Sequence, residues 1–300
     1  MDKDSLPEWN GRDIAELLGL RRIAANRFRS RCAERNEHGR IYGGQMLGQA
    51  LNAAADTIPS NRSASCMQFL FASGGIPEQA IEYAVTTVQE GKRFSSRNVR
   101  GTQSNGRVVC DASVTFAQTI ESPTHQAPPP PDCGLDQDPE RSTRLEDIDA
   151  SEARDVARTL DIFYQRHVAI DIRAPFLEDF SPSVIKEARV RFWIKMRTPM
   201  GDDPRHHAAA FAYLSDYWIN FVASITHVAA LAKANAPLYV ASLNHAMWLH
   251  RPLRVDQWLL FDCVSPSGAA GRGLSTARVY SRTDDLVASA AQECLLAPIA

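Results

Sequence analysis

The sequence predicts an α+β protein built on antiparallel sheet, with one structural unit used twice. Three observations lead there. A stretch with helical spacing followed by four strand-like runs occurs in each half of the chain. The last two strands of each half are joined by a tight-turn signal, and a proline-rich, acidic segment lies between the halves. The expected organisation is an N-terminal unit at 1–120, a connection at 121–155 and a C-terminal unit at 156–300, the last carrying the candidate catalytic residues.

The first unit opens with Gln45 to Thr57, where apolar residues recur at helical spacing with alanine filling, after a Gly43-Gly44 start. Strand-like runs follow at Cys66 to Phe71, Ile81 to Gln89, Phe94 to Gln103 and Val108 to Ala117. Asn105-Gly106 between the last two is a two-residue hairpin signal. The segment Glu121 to Asp149 holds four consecutive prolines, Pro128 to Pro131, flanked by Pro123 and Pro139, and then an acidic run. Such a stretch cannot donate to a sheet ladder and favours extended geometry at about 3.1 Å per residue, so it reads as a connection between units. In the second unit His206 to Lys233 is the helical region. Strands are expected at Leu238 to Leu249, Trp258 to Val264, Leu274 to Ser281 and Leu286 to Leu295, with Thr283 to Asp285 as the corresponding turn.

Three hundred residues with 44% hydrophobic content can bury one sizeable core or two smaller ones. A net charge of −2 argues against a nucleic-acid partner held by bulk electrostatics. The run Arg21 to Arg40 contains seven arginines, interrupted by Glu34 and Glu37, and reads as a solvated strand-and-loop surface. Six cysteines lie scattered without a CxxC pair, and Cys110 and Cys263 sit within apolar alternation, so buried free thiols in a reducing compartment are expected. The polar N-terminal residues do not read as a signal peptide. The longest apolar stretch, Trp218 to Ala232, is broken by Asn220, Ser224, Thr226 and His227, so no membrane span is expected. The cytoplasm is the expected location.

A few residues stand out for chemistry. Asp216 precedes the apolar run Tyr217 to Val222, where it reads either as a helix-start cap or as a partly desolvated general base. Ser242 lies in a strand between Ala241 and Leu243, and no GxSxG elbow surrounds it or occurs elsewhere, which argues against a nucleophilic serine. Gln292 is a lone amide in an otherwise small, apolar last strand, and if buried it must find partners. A carboxylate, a hydroxyl and an amide together can hold and activate a water, without a metal or a covalent intermediate. Gly44 and Gln45 at a helix start read, from the residues alone, as tight helix–sheet packing. His245 and His250, five apart in a strand, face opposite sides and cannot form a shared metal pair, and no HExxH or Cys/His cluster exists; no metal is expected. Lys92, Arg93, Arg97 and Arg100 read either as a phosphate-meeting group or as a charged strand edge.

Four stretches carry a family resemblance: IYGGQMLGQAL at Ile41 to Leu51, EGKRFSSRNV at Glu90 to Val99, FAYLSD at Phe211 to Asp216, and VASLNHAMWLHRP at Val240 to Pro252. A fifth, VASAAQE at Val287 to Glu293, is weaker. In this order and spacing the chain resembles the acyl-CoA thioesterase II family over roughly 40 to 295. That resemblance implies a double hotdog fold, two tandem units in which an antiparallel sheet wraps a long helix. It implies hydrolysis of fatty acyl-CoA by an activated water, with Asp216 as base and Ser242 and Gln292 as the other water-holding groups. Gly44 and Gln45 would bind substrate, no cofactor would be needed, and a homo-oligomer would form. The C-terminal Ala-Pro-Ile-Ala does not read as the Ser-Lys-Leu type of peroxisomal address that some eukaryotic relatives carry. The family usually has aspartate where this chain has Asn244. Its His-Ser before the second N-terminal strand and Arg-Pro-Gly after it are replaced by Ser63-Ala64-Ser65 and Ala72-Ser73-Gly74-Gly75. These departures bear on substrate preference and leave an acyl-CoA-binding protein with weak turnover as the alternative reading.

Overall fold

The computed structural model describes residues 6–36, 38–147, 168–180, 187–227, 230, 234 and 238–298. Residues 148–155 of the expected connection, and 228–229 and 231–233 of the expected second helical region, lie outside them. The chain forms two compact units that interleave in sequence: Met1–His125, Met200–Tyr217 and Asn244–Arg254 make one, and Gln126–Pro199, Trp218–Leu243 and Val255–Ala300 the other.

In the first unit the strands β1 (Leu20–Ala24), β2 (Arg27–Ser30), β3 (Ser63–Phe71), β4 (Glu82–Glu90), β5 (Phe94–Thr102) and β6 (Val108–Ala117) order as β1-β2-β4-β5-β6-β3. All these pairings are antiparallel. Residues Asn244 to Trp248 of β10 (Leu238–Leu249) then pair with β3. A short helix α1 (Ile14–Leu18) precedes the sheet, and α2 (Gly43–Ala55) packs on β3 to β6. The arginine-rich edge β1-β2 is a strand-and-loop surface, with Arg21, Arg22 and Arg27 exposed. Alternating inward residues Met67, Phe69, Tyr83, Val85, Val99, Ala112, Val114 and Phe116 close over the helix, as period-2 patterning requires.

The other side of α2 meets α3 (Pro204–Ser215). Here the two helices approach at backbone distance. A Cβ at Gly44 would lie 2.5 Å from the Tyr213 carbonyl oxygen, and one at Gly48 would lie 2.8 Å from that of Ala209. Two glycines four apart therefore face two carbonyls four apart. The tight packing that these glycines allow is helix on helix, not helix on sheet.

In the second unit β7 (Thr143–Arg144), β8 (Ile170–Ala174), β9 (Arg189–Met196), β11 (Leu259–Ala269), β12 (Arg272–Ser281) and β13 (Leu286–Pro298) follow the order β10-β13-β12-β11-β9-β8-β7. The order β2-β4-β5-β6-β3 of the first unit recurs here as β9-β11-β12-β13-β10, so the duplication read from the sequence is present in the topology. Each repeat also has a strand before its helix, β2 and β9, that the four-strand reading omitted.

The two final hairpins match in detail. Thr102 pairs with Val108 after a register shift, and Gln103 N–H donates to Arg107 O at 2.9 Å. Tyr280 pairs with Leu286 after the same shift, and Ser281 N–H donates to Asp285 O at 2.9 Å. Gly106 at φ 73° and Asp284 at φ 61° occupy the same left-handed position. Both turns are three-residue loops with a bulge, not the two-residue loop expected for Asn105-Gly106.

The second helical region is interrupted. After α3, Asp216 is the C-cap and Trp218 takes φ 69°, before the single turn α4 (Ile219–Val222). A left-handed tryptophan costs about 1–2 kcal/mol. Its indole is buried against Phe180, Phe192 and Phe221, which offsets that cost. The connection also departs from a plain spacer. Cys133 is buried with Trp193, Trp258, Leu260 and Tyr280, Asp132 pairs with Arg189 at 2.6 Å, and Glu140 accepts from Trp258 Nε1 at 2.7 Å. Residues from about 132 to 147 thus belong to the second unit's packing.

The close approach of α2 and α3 gives a direct test. Gly48→Ala should destabilise the protein by about 1–3 kcal/mol through overpacking against Leu18 and the Ala209 carbonyl, measured by urea unfolding. An unchanged unfolding midpoint would mean that the helices do not rely on this contact.

Candidate active site

In the first unit the candidate site is built around the start of α2. Its N-cap, Tyr42, makes no side-chain capping bond. A Cβ at Gly43 would collide with Asp216 Oδ2, and Phe71 Cε1 stands 3.0 Å from the same point. Glycine at 43 is thus what admits the Asp216 carboxylate to this end of α2. The sequence suggested a helix-start cap for Asp216, but the residue ends α3 and lies against the start of a different helix. It sits where the helix dipole of α2 is most favourable to an anion, although its own helix ends there with the opposite polarity.

Gln45 is fully buried, with Oε1 accepting Glu34 N–H at 2.8 Å and Nε2 donating to Cys32 O at 3.0 Å. Its side chain is committed to holding the 32–34 segment, which leaves its backbone N–H for any role toward substrate. Gln49, one turn on, donates to Leu17 O at 2.6 Å and accepts from Tyr83 Oη at 2.9 Å. The IYGGQMLGQAL motif therefore supplies close approach through its glycines and anchors through its glutamines.

Glu34, read as part of a solvated charge run, is instead buried and accepts a 3.1 Å bond from Tyr213 Oη. Burial pushes its carboxyl up to about 8, the Tyr213 bond acts in the opposite direction, and the negative charge of Asp216 adds to the rise. Burial, and then Asp216, likewise raise the Tyr42 phenol. The Tyr42 hydroxyl is buried without a hydrogen-bond partner among the described residues. Tyr42 packs edge-on against Tyr213 and Tyr217, with ring centroids 5.2 Å and 6.4 Å away.

In the second unit β10 and β13 bring Ser242 and Gln292 together. Gln292 is 1% exposed, and its Nε2 donates to Ser242 Oγ at 2.8 Å. A second amide, Asn220 Nδ2 from α4, donates to the same oxygen at 2.8 Å. Asn220 Oδ1 and Ser275 Oγ are buried without partners among the described residues, and Ser275 stands directly opposite Gln292 in the β12–β13 register. The structure thus gathers Ser242 and Gln292 in one unit, and Asp216, Gly44 and Gln45 in the other.

Sequence reading missed Glu34, Asn220 and Ser275. Asn220 had a signal, a polar residue inside an apolar helical run, but it was used only to exclude a membrane span. The EGKRFSSRNV basic group proves structural in part. Glu90 accepts from Arg62 at 2.6 Å, Arg97 at 2.5 Å and Ser95 at 2.7 Å, and Arg97 also donates to Thr57 O at 3.1 Å, just past the end of α2. The bonds from Ser95 and then Arg97 hold the Glu90 carboxyl below the usual carboxylate range. Arg100 pairs with Asp111 at 2.8 Å, whereas Lys92 and Arg93 are exposed. His245 is buried with Nε2 2.9 Å from Ser215 Oγ, and His250 is exposed. Among the described residues no group of three or more His, Cys, Asp or Glu is placed to hold a metal, and no helix is long and apolar enough to cross a membrane.

An antiparallel sheet wrapped on a helix, repeated with the same strand order, is a double hotdog. Solved structures agree. An acyl-CoA thioesterase II, TesB2, from Mycobacterium marinum matches with a TM-score of 0.76 at 27% identity, covering 96% of this chain and 99% of that one. A hot dog fold protein from Alicyclobacillus acidocaldarius matches at 0.74 and 16% identity, covering 95% and 98%. The family model of the acyl-CoA thioesterase N-terminal domain matches residues 33–117, and that of the C-terminal domain residues 130–296. The mouse protein named acyl-coenzyme A thioesterase 8 is 30% identical over 286 residues, 93% of this chain and 87% of that one. Acyl-CoA thioesterase 2 of Haemophilus influenzae is 25% identical over 285 residues, covering 95% and 96%. The chain belongs to the acyl-CoA thioesterase family.

The burial of Glu34 has a measurable consequence. Between its ordinary value of 4.5 and its folded value of about 8, the unfolded chain has released the proton that the folded protein keeps. Stability should therefore fall as pH rises through that window. Glu34→Gln removes the titrating group, so its melting temperature should fall less than wild type's between pH 5 and 8. Parallel curves for the two proteins would contradict the buried, protonated Glu34.

Proposed function

We propose that this acyl-CoA thioesterase hydrolyses fatty acyl-CoA by direct attack of water, giving free fatty acid and CoA. Asp216 takes a proton from a water held by Ser242 and Gln292, and the resulting hydroxide-like oxygen attacks the thioester carbonyl. Backbone N–H groups at Gly44 and Gln45 polarise that carbonyl, for which a helix start without a side-chain cap is suited. The observation that carries this reading is the pair of amide donors converging on Ser242 Oγ, each at 2.8 Å. A hydroxyl oxygen has two lone pairs. With both accepting, Ser242 is a hydrogen-bond donor and a poor nucleophile, which favours water over an acyl-enzyme. The thioesterase names of the mouse and Haemophilus relatives support the substrate class. Six free thiols support a reducing, cytoplasmic setting, and we place the protein there as a homo-oligomer.

Thiol release from a panel of acyl-CoA chain lengths tests the activity itself. Saturable acyl-CoA binding with no thiol release would favour a binding protein instead. Asp216→Asn keeps the shape and removes the proton acceptor, so kcat should fall about a hundred- to ten-thousandfold with little change in melting temperature. A near-normal kcat would end Asp216's role as base. At Ser242, threonine should retain activity because the hydroxyl is kept. Alanine should lose about ten- to a thousandfold, the effect of removing one positioned hydrogen-bonding group. Equal rates for the alanine variant and wild type would remove Ser242 from the mechanism.

A further inference from the structure

We infer that Asn220 is a positioning residue of the hydrolytic site, which fixes Ser242 through its Nδ2 and offers its buried Oδ1 as an acceptor to the attacking water. The inference rests on the thioester hydrolysis proposed above and adds a fourth side chain to it.

The geometry is local to the second unit. Asn220 lies in the single turn α4, two residues after the left-handed Trp218. The Trp218 indole is fixed by Phe180, Phe192 and Phe221, so the turn that presents Asn220 is held by aromatic packing. On the other side Cys294 Sγ lies 3.8 Å from the Asn220 carbonyl oxygen and 3.5 Å from that of Gly273, and Cys294 lies on the same strand and face as Gln292. Asn220 is thus located from both the aromatic core and β13.

Its side chain then does two different things. Nδ2 donates to Ser242 Oγ at 2.8 Å, alongside Gln292 Nε2. This fills the second lone pair of the hydroxyl and leaves Ser242 only its O–H to give. Oδ1 is buried and meets no donor among the described residues. An unsatisfied buried carbonyl costs about 1–3 kcal/mol, and one beside a hydroxyl donor offers a water both an acceptor and a donor. A water that accepts from Ser242 O–H and donates one hydrogen to Asn220 Oδ1 keeps its other hydrogen for the base. The orientation is set before the proton moves, and no covalent bond to the protein is made.

The role differs from plain structural support in being coupled to Ser242, since the hydroxyl and the water it holds both meet the Asn220 amide. A merely structural asparagine would change stability and act independently of that hydroxyl. The test is a double-mutant cycle on the purified full chain, with kcat and KM measured on its best acyl-CoA and melting temperature recorded for each variant. Asn220→Ala should lower kcat about ten- to a thousandfold with KM within about threefold. In the Ser242→Ala background the same substitution should cost clearly less than it does in wild type, because only the Oδ1 contact to water is left to lose. Asn220→Asp, nearly isosteric and acceptor-only when ionised, guards against a folding defect in the alanine variant. At neutral pH it should lose kcat to a similar degree while its melting temperature stays near wild type's. Undiminished kcat in Asn220→Ala, or losses that multiply fully in the double variant, would overturn the inference while leaving thioester hydrolysis standing. A wild-type protein that releases no thiol from any acyl-CoA would overturn both.

Discussion

The first unit depends on how closely α2 can come to its neighbours. Its inner face is buried from Gly44 to Ala55, and its outer face lies against α3 at a distance that admits no side chain at Gly44 or Gly48. Contact at that range trades side-chain area for backbone dispersion and leaves no slack, because protein interiors are packed at crystal-like density. The same restriction at Gly43 sets the Asp216 carboxylate against the start of α2. A helix interface and a candidate base are thus fixed by one run of small residues.

Close packing creates a second requirement, that every polar group drawn inside be satisfied. Gln45, Gln49 and Asn52 meet it by binding backbone carbonyls of Cys32, Leu17 and Leu18, which tie the N-terminal segments to α2. Arg97 does the same at the far end of the helix, where its charge also suits the C-terminal dipole. Much of what makes these motifs recognisable is therefore scaffold. The Glu34 carboxyl and the Tyr42 hydroxyl are also drawn inside in the first unit. They gather raised proton affinities around Asp216, the pattern expected where a site is built against burial and like charge.

In the second unit the controlling fact is the valence of one oxygen. Two amide donors on Ser242 Oγ convert a residue type associated with nucleophilic catalysis into a fixed donor. Asn220, which bonds that oxygen, and Ser275, opposite Gln292, each leave a buried oxygen atom without a partner among the described residues, a surplus of polar capacity that a packed interior otherwise avoids.

The sequence by itself determined the duplicated helix-and-strands order and most strand positions; β6 and β10 were read to the residue, and β4 and β5 to within one. Period-2 burial is a local property of the chain, so alternation records it. The same holds for Ser242 and Gln292, whose types and strand placement were legible, although their catalytic reading came through the family resemblance. Tertiary structure decided the rest. Asp216 looked like a helix start because the apolar run after it has helical spacing, but packing of the Trp218 indole forces a left-handed residue and breaks the helix. Glu34 looked solvated because its neighbours in sequence are arginines, but Gln45 and Tyr213 draw it inside. Neither Asn220 nor Ser275 takes a role from its sequence neighbours, since the partner that gives Asn220 its meaning is 22 residues away and Ser275 faces a different strand. Local periodicity is written along the chain, whereas the satisfaction of a buried polar atom depends on what the fold brings to it.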